Sequence, residues 1–323
     1  MKIIPFLIRI FLDAYRDTKR VVNYFNLVSI NGIIVVPKLY FIRLFYSLFF
    51  VRNLIKIKIF KNIYFSEYFL ENNISSKDLA EIIDIKGYSK VYTLKKNFIN
   101  DIKEEIFSSE NIQYKKNKDF DIKISNNSLF KRSNEDLEMY FVRLKNNNIS
   151  RVTGFLNLNK KESNVRKLLT SDAFISLAQN FLNTKNFSIN ASFFISNPVI
   201  TSKEEQYANA QYFHWDNDFT KFLKIYIYLS DVDQDSGPHI LIPYTHKKKL
   251  FRHSLCRLYE DKDIYNFYNQ KVIFTGGAGS LFFSDGYGLH KGEMPKSKSR
   301  LILNIHYGRN KILYSPNDIY FKS

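Results

Sequence analysis

The segment Arg300-Leu301-Ile302-Leu303-Asn304-Ile305-His306-Tyr307 alternates with a period of two, the signature of a β-strand whose successive side chains point to opposite faces of a sheet. Leu301, Leu303, Ile305 and Tyr307 form one apolar face, and Arg300, Ile302, Asn304 and His306 form the other. The second face should look into the domain, where polar groups are costly unless they are paired or bind something. Shorter strand-like runs precede it at Gln211–Asp216, Lys221–Leu229, His239–Ile242, Lys271–Phe274 and Ser280–Phe283, each bounded by turn residues. This order predicts a mainly β fold with flanking helices (α+β), a double-stranded β-helix (jelly roll, cupin-like) core.

Within Tyr212-Phe213-His214-Trp215-Asp216, His214 and Asp216 stand two apart, so on a strand they point the same way and can grip one metal ion from a single edge. His290, beyond the apolar run Gly279–Ser284, can return to the same point as a third ligand. Two imidazoles and one carboxylate on one face of an octahedron leave three positions open, the arrangement of non-haem Fe(II) oxygenases. The guanidinium fork of Arg300 fits a carboxylate bidentately, and the open iron positions fit a 2-oxoacid at the other end of the same molecule. The implied co-substrates are 2-oxoglutarate and O2. The same ligands also suit zinc, so a metal hydrolase stays open on the ligands alone, and Arg300 in its strand favours the oxygenase. A halogenase is disfavoured, because a halide needs the coordination position that Asp216 occupies.

Taken together, Gln211–Asp216, Phe222–Leu229 with Asp231-Val232, Ser236-Gly237-Pro238, Thr245-His246-Lys247, Gly288-Leu289-His290-Lys291-Gly292 and Arg300 resemble the phytanoyl-CoA dioxygenase family of Fe(II)/2-oxoglutarate oxygenases. The resemblance implies His214, Asp216 and His290 as the iron ligands and Arg300 as the anchor for the far carboxylate of 2-oxoglutarate. Gln211 is a further candidate on the co-substrate side, and Lys224, Tyr226 and Asn304 are candidates for the substrate pocket. The strand 221–229 places Phe222, Lys224, Tyr226 and Tyr228 on one face, which is either a pocket wall or a solvent face. Where the family carries Gly-Ser-His, this chain has Tyr244-Thr245-His246, a departure that bears on the substrate pocket more than on the chemistry. His239 and His253 are expected to be structural, and His246 and His306 to be scaffolding near the pocket.

The formal charge of +17 invites a nucleic-acid reading, since basic faces neutralise phosphate. The lysines, however, are spread along the chain among abundant Asn, Ile, Phe and Tyr rather than gathered into one stripe. No nucleic-acid partner is therefore expected, only a weak attraction to an anionic membrane or substrate. Cys256 is alone, which excludes an intrachain disulfide and fits a reducing, cytoplasmic setting. Met1–Leu12 looks superficially like a signal peptide, but Arg9 interrupts the apolar run and no small-x-small cleavage site follows. Leu39–Phe60 is rich in Phe, Leu and Ile, yet Arg43, Arg52, Lys56 and Lys58 break it below the roughly 20 apolar residues of a spanning helix. It reads as a helix docked on the core, with weak peripheral membrane contact as the alternative.

Residues 1–75 accordingly read as a helical N-terminal extension and residues 76–323 as the jelly-roll domain. Ser75-Ser76-Lys77-Asp78 offers a helix start, Lys86–Tyr92 a turn into a first strand, Asn97–Ser108 and Ser171–Asn183 helices, and Phe187–Ser196 a strand leading toward the metal motif. The polar region 109–150 is read as a solvated insertion or lid, and Gly276–Gly279 as a tight strand connection. The expected function is an Fe(II)- and 2-oxoglutarate-dependent oxygenase that hydroxylates a small organic molecule with release of succinate and CO2. The alternative is a non-catalytic metal-binding jelly roll serving as a binding or sensor module.

Overall fold

The computed structural model describes residues 59–70, 73–108, 113–115, 135–216, 221–256, 258–309 and 319–322. The expectations for the first 58 residues, including Met1–Leu12 and nearly all of Leu39–Phe60, lie outside them. In chain order the strands are β1 (Tyr92–Thr93), β2 (Gln113–Lys115), β3 (Arg151–Phe155), β4 (Phe187–Ser196), β5 (Phe213–His214), β6 (Phe222–Tyr228) and β7 (His239–Leu241). They continue as β8 (Leu258–Tyr259), β9 (Val272–Phe274), β10 (Ser280–Asp285), β11 (His290–Gly292), β12 (Arg300–Gly308) and β13 (Ile319–Phe321).

One antiparallel sheet has the order β1-β10-β6-β12-β4-β3-β2, with β13 also on β4, and the other has the order β8-β5-β11-β7-β9. From β4 to β7, and again from β9 to β12, the chain crosses to the opposite sheet at every strand, which makes the fold a double-stranded β-helix. Alternation along each strand decides what meets where. Leu301, Leu303, Ile305 and Tyr307 of β12 join Leu223, Ile225 and Ile227 of β6 and Ile189, Phe193 and Ile195 of β4 in one core. Leu79 and Ile83 of helix Ser76–Lys86 and Phe174, Leu177 and Phe181 of helix Asp172–Leu182 complete that core from outside the sheet. The opposite faces contribute Ile302, Tyr226, Tyr228 and Phe282, which pack with Leu241 and Phe274 between the two sheets. Phe222, Lys224, Tyr226 and Tyr228 thus form an interior wall, and the solvent-face option for β6 is excluded by the burial of all its residues.

Local signals act as their chemistry dictates. The Ser75 hydroxyl accepts from the Asp78 N–H at 3.1 Å and caps its helix, which ends at Gly87 in the left-handed region with φ of 88°. Two expectations need correction. Ile59–Leu70 forms turns and isolated bridges rather than helix, and Phe65, Tyr68 and Phe69 sit in the large core, with the Phe65 and Phe174 rings 5.1 Å apart. That part of residues 1–75 therefore packs as one body with the jelly roll. In region 109–150, Leu137–Asn146 is a helix whose Tyr140, Phe141 and Leu144 are buried, capped by the Asp136 carboxylate on the Met139 N–H. Flanking Lys and Asn residues hid its apolar stripe, and residues 109–112 and 116–134 lie outside the described set. No helix among the described residues is long and apolar enough to cross a membrane.

Candidate metal centre

Strands β5 and β11 pair with His214 directly opposite His290, and the two rings lie 4.3 Å apart between centroids. Asp216 follows two residues after His214, its N–H donating to the Gly286 carbonyl at 2.9 Å. Nδ1 of His214 meets the Tyr212 carbonyl at 2.9 Å, and Nδ1 of His290 meets the Gly288 carbonyl at 2.8 Å. A carbonyl only accepts, so each ring carries its proton on Nδ1 and presents an Nε2 lone pair. Those Nε2 atoms lie 3.8 Å and 3.4 Å from the two carboxylate oxygens of Asp216. Candidate ligand atoms of the three buried residues all lie within 4.8 Å of one another. Nε2 of His290 has no hydrogen-bond partner, a costly state for a buried polar atom that a metal ion would relieve.

Electrostatics favour the ligand forms. Burial, reinforced by His290, holds His214 well below the usual imidazole range. Burial alone would raise Asp216, but the carboxyl is held well below its usual value, with the Lys224 ammonium as the largest opposing influence. Two imidazole nitrogens and a carboxylate oxygen fit a divalent iron, and equally a zinc, with few protons to displace. Lys224, on the inner face of β6, pairs its Nζ with Oδ2 of Asp216. Burial would lower that ammonium, and Asp216 more than compensates, keeping it charged.

Of the remaining candidates, Tyr226, Asn304 and Arg300 are buried in the barrel. Nδ2 of Asn304 donates to Nε2 of His306 at 3.1 Å, leaving Oδ1 of Asn304 and Nδ1 of His306 without partners. Burial pushes His306 down to about 3. The Tyr226 ring stacks on Phe282 at 5.0 Å. Arg300 begins β12, 6% exposed, donates through Nη1 to the Gly237 carbonyl, and has no partner for Nε. Gly237 has φ of 74°, and a Cβ there would collide with the Glu293 carbonyl, so a side chain cannot occupy the turn that supplies this acceptor. Gln211 is partly exposed with Oε1 unpartnered. It follows Ala210, whose carbonyl accepts from the Gly292 N–H, and Gly292 lies against the Arg300 guanidinium.

Two residues escaped the sequence reading. His239, read as structural, lies inside the barrel with its ring 4.4 Å from Tyr226 and 5.3 Å from His290, and its Nε2 is unpartnered. It stands on β7 two residues from Leu241, the partner of His290, a relation set by strand pairing and without a local sequence signal. Arg151 on β3, partly exposed, lies over the Phe194 ring in the same sheet row as Arg300, and it left no local signal. His246 is scaffolding: Nε2 bonds the Asp84 carbonyl at 2.8 Å and the ring fills the space over Gly87. Thr245 accepts from the Leu289 N–H at 2.8 Å and so ties the loop to β11, while Tyr244 adopts a φ of 64° that normally suits glycine.

A sequence-family model described as phytanoyl-CoA dioxygenase (PhyH) matches residues 129–300, just over half of the chain, a span that contains His214, Asp216 and His290 and ends on Arg300. No curated protein sequence matches. Similar solved structures include HygX from Streptomyces hygroscopicus with nickel, 2-oxoglutarate and hygromycin B bound, 10% identical, with 72% of this chain and 87% of that chain covered and a TM-score of 0.45. AviO1 from Streptomyces viridochromogenes Tue57 is 14% identical, with 74% and 96% covered and a TM-score of 0.41. The epimerase SnoN in complex with Fe3+, alpha ketoglutarate and nogalamycin RO is 13% identical, with 72% and 83% covered and a TM-score of 0.44.

Proposed function

The chain belongs to the phytanoyl-CoA dioxygenase family of non-haem Fe(II)/2-oxoglutarate-dependent dioxygenases, and we propose that it hydroxylates a small organic molecule at a centre formed by His214, Asp216 and His290. The observation that carries this reading is the buried, unpartnered Nε2 of His290, which faces Asp216 beside His214. Arg300, on the inner face of the same barrel, supplies the second half of the argument as a buried guanidinium with an unsatisfied Nε.

Bound there with 2-oxoglutarate, Fe(II) supplies dioxygen activation: O2 oxidises the 2-oxoacid to succinate and CO2, one oxygen atom entering succinate and the other a substrate C–H bond. The protein's residues do the positioning. Asp216 provides the anionic ligand, and the Nδ1–H bonds to the Tyr212 and Gly288 carbonyls keep both imidazoles oriented as neutral donors. Arg300 pairs with the C5 carboxylate of 2-oxoglutarate through a charge-assisted fork, with Gln211 as a further contact at that end. Lys224, Tyr226 and Asn304 face the interior and orient the substrate, where a misplacement of about 1 Å can cost on the order of 10²-fold in rate. The rings of Tyr228, Phe274 and Phe282 form a dry wall behind them. The lone, buried Cys256 supports a cytoplasmic setting.

The test is anaerobic loading with Fe(II), followed by 2-oxoglutarate, O2 and a metabolite mixture, with succinate quantified by mass spectrometry. Substrate-stimulated succinate formation is the expected result. Metal uptake with no turnover in any mixture would instead identify a binding or sensor module, and failure to take up metal would refute the centre.

A further inference from the structure

On β3, Arg151 is the cross-strand partner of Ser196, and on the other side of β4 the partner of Ser196 is Arg300. Directly opposed residues of antiparallel strands project to the same face, so the two guanidinium groups leave one row of the sheet with only Ser196 between them. Little around them cancels two positive charges. Arg151 lies over the Phe194 ring at 4.1 Å and donates through Nη1 to the Asn209 carbonyl, while Arg300 donates through Nη1 to the Gly237 carbonyl. Neutral carbonyls satisfy hydrogen bonds without neutralising charge. Among the described residues no carboxylate forms an ion pair with either arginine, and Glu293, the acid whose charge reaches Arg300, is paired with Lys291 at 3.0 Å. Burial, and then the charge of Arg300, lower Arg151 to about 9. Gly292 lets the backbone approach the guanidinium closely, since a Cβ there would stand only 3.2 Å from Nη2 of Arg300.

Like charges held side by side, with Arg300 buried and Arg151 partly exposed, are costly unless a ligand compensates them. We propose that Arg151 and Arg300 form a single two-guanidinium seat for the acid group of a bound small molecule, with Arg151 as a second anion-binding residue beside the co-substrate anchor. The ligand chemistry is a carboxylate, supplied either by the C5 end of 2-oxoglutarate or by an acid group of the primary substrate. The inference rests on the reading of Arg300 as that anchor.

The experiment is calorimetric titration of the full chain loaded with Ni(II), a redox-inert stand-in, using 2-oxoglutarate and 2-oxopentanoate, which lacks the C5 carboxylate. Arg151→Gln should weaken 2-oxoglutarate about tenfold or more and leave 2-oxopentanoate unchanged, with Arg151→Lys recovering part of the loss because it restores charge without the fork. Melting without ligand keeps the result clear of folding defects: removing one of two like charges should leave the Tm of Arg151→Gln no lower than wild type, while the rise induced by 2-oxoglutarate shrinks. If 2-oxoglutarate affinity holds but the 2-oxoglutarate-loaded variant no longer binds acetate that wild type binds, the seat serves the primary substrate's acid group. Unchanged affinity for both 2-oxoglutarate and acetate overturns the seat, as does a lowered Tm with unchanged affinities, which would make Arg151 a structural tie to Asn209. Arg300→Gln is the control: wild-type 2-oxoglutarate affinity in that variant sinks the anchor reading itself.

Discussion

Replacing His290 by alanine separates the stability of the barrel from its affinity for metal. In the metal-free chain the imidazole makes one hydrogen bond, Nδ1 to the Gly288 carbonyl at 2.8 Å, worth about 1 kcal/mol net. Its Nε2 makes none, so truncation also removes a desolvation penalty of about 1–3 kcal/mol. These terms oppose one another, and with the lost ring contacts to His214 and His239 the apo variant should fall within about 2 kcal/mol of wild type. Metal changes the comparison. At a free concentration of about 100 Kd the wild type gains roughly 2.7 kcal/mol, whereas a variant bound about 100-fold more weakly gains only roughly 0.4 kcal/mol. An unfolding entropy of about 2.1 cal/mol/K per residue, taken over 323 residues, is roughly 0.7 kcal/mol/K. The metal-induced rise in Tm should therefore be about 4 °C for wild type and under about 1 °C for His290→Ala. Scanning fluorimetry with Mn(II), checked by elemental analysis of bound metal, reads both quantities. A variant whose Tm still climbs by the wild-type amount, or which binds metal stoichiometrically, removes His290 from the centre.

Asp216→Ala should abolish succinate-coupled hydroxylation while two imidazoles retain part of the metal affinity, and hydroxylation at the normal rate would refute the assignment. Because it strands buried Lys224, the same change should also cost the apo chain about 3–5 kcal/mol, and Asp216→Ala/Lys224→Met should cost less than the sum of the single changes; additive losses in urea unfolding contradict the pair. Apo stability should fall as pH drops from about 6.5 toward about 3, since burial lowers His306 to about 3 and shifts His214 and His239 the same way, so the unfolded chain takes up protons the folded chain refuses. The lowered value of Asp216 adds a further loss at the acid end, and equal unfolding free energies at about pH 7.5 and about pH 5 would contradict this linkage. Peripheral membrane attachment is expected to reside ahead of residue 59: a chain beginning at Ile59, which keeps the core residues Phe65 and Phe69, should lose any salt-sensitive binding to anionic vesicles that the full chain shows, and equal binding by both would place it elsewhere.

Strand β12 was legible because alternation is a property of consecutive residues: Leu301, Leu303, Ile305 and Tyr307 share a face whatever lies opposite. His214 and Asp216 were legible for the same reason, and the Ser75 cap was legible because it acts within one helical turn. Alternation does not say which face is inside. The row Phe222, Lys224, Tyr226 and Tyr228 became an interior wall only when the second sheet closed over it. The helix Leu137–Asn146 was concealed by polar neighbours, and its burial depends on a core built by distant segments. Likewise, only the tertiary structure set His290 opposite His214, brought Lys224 onto Asp216, turned His239 into the interior and aligned Arg151 with Arg300 across β4. The physical reason is register. Side-chain direction along a strand is local and written in the chain, but pairing between strands far apart is decided by the hydrogen-bonded ladder and by closure of two sheets around one interior, and a slip of one residue would turn each of these groups to the opposite face.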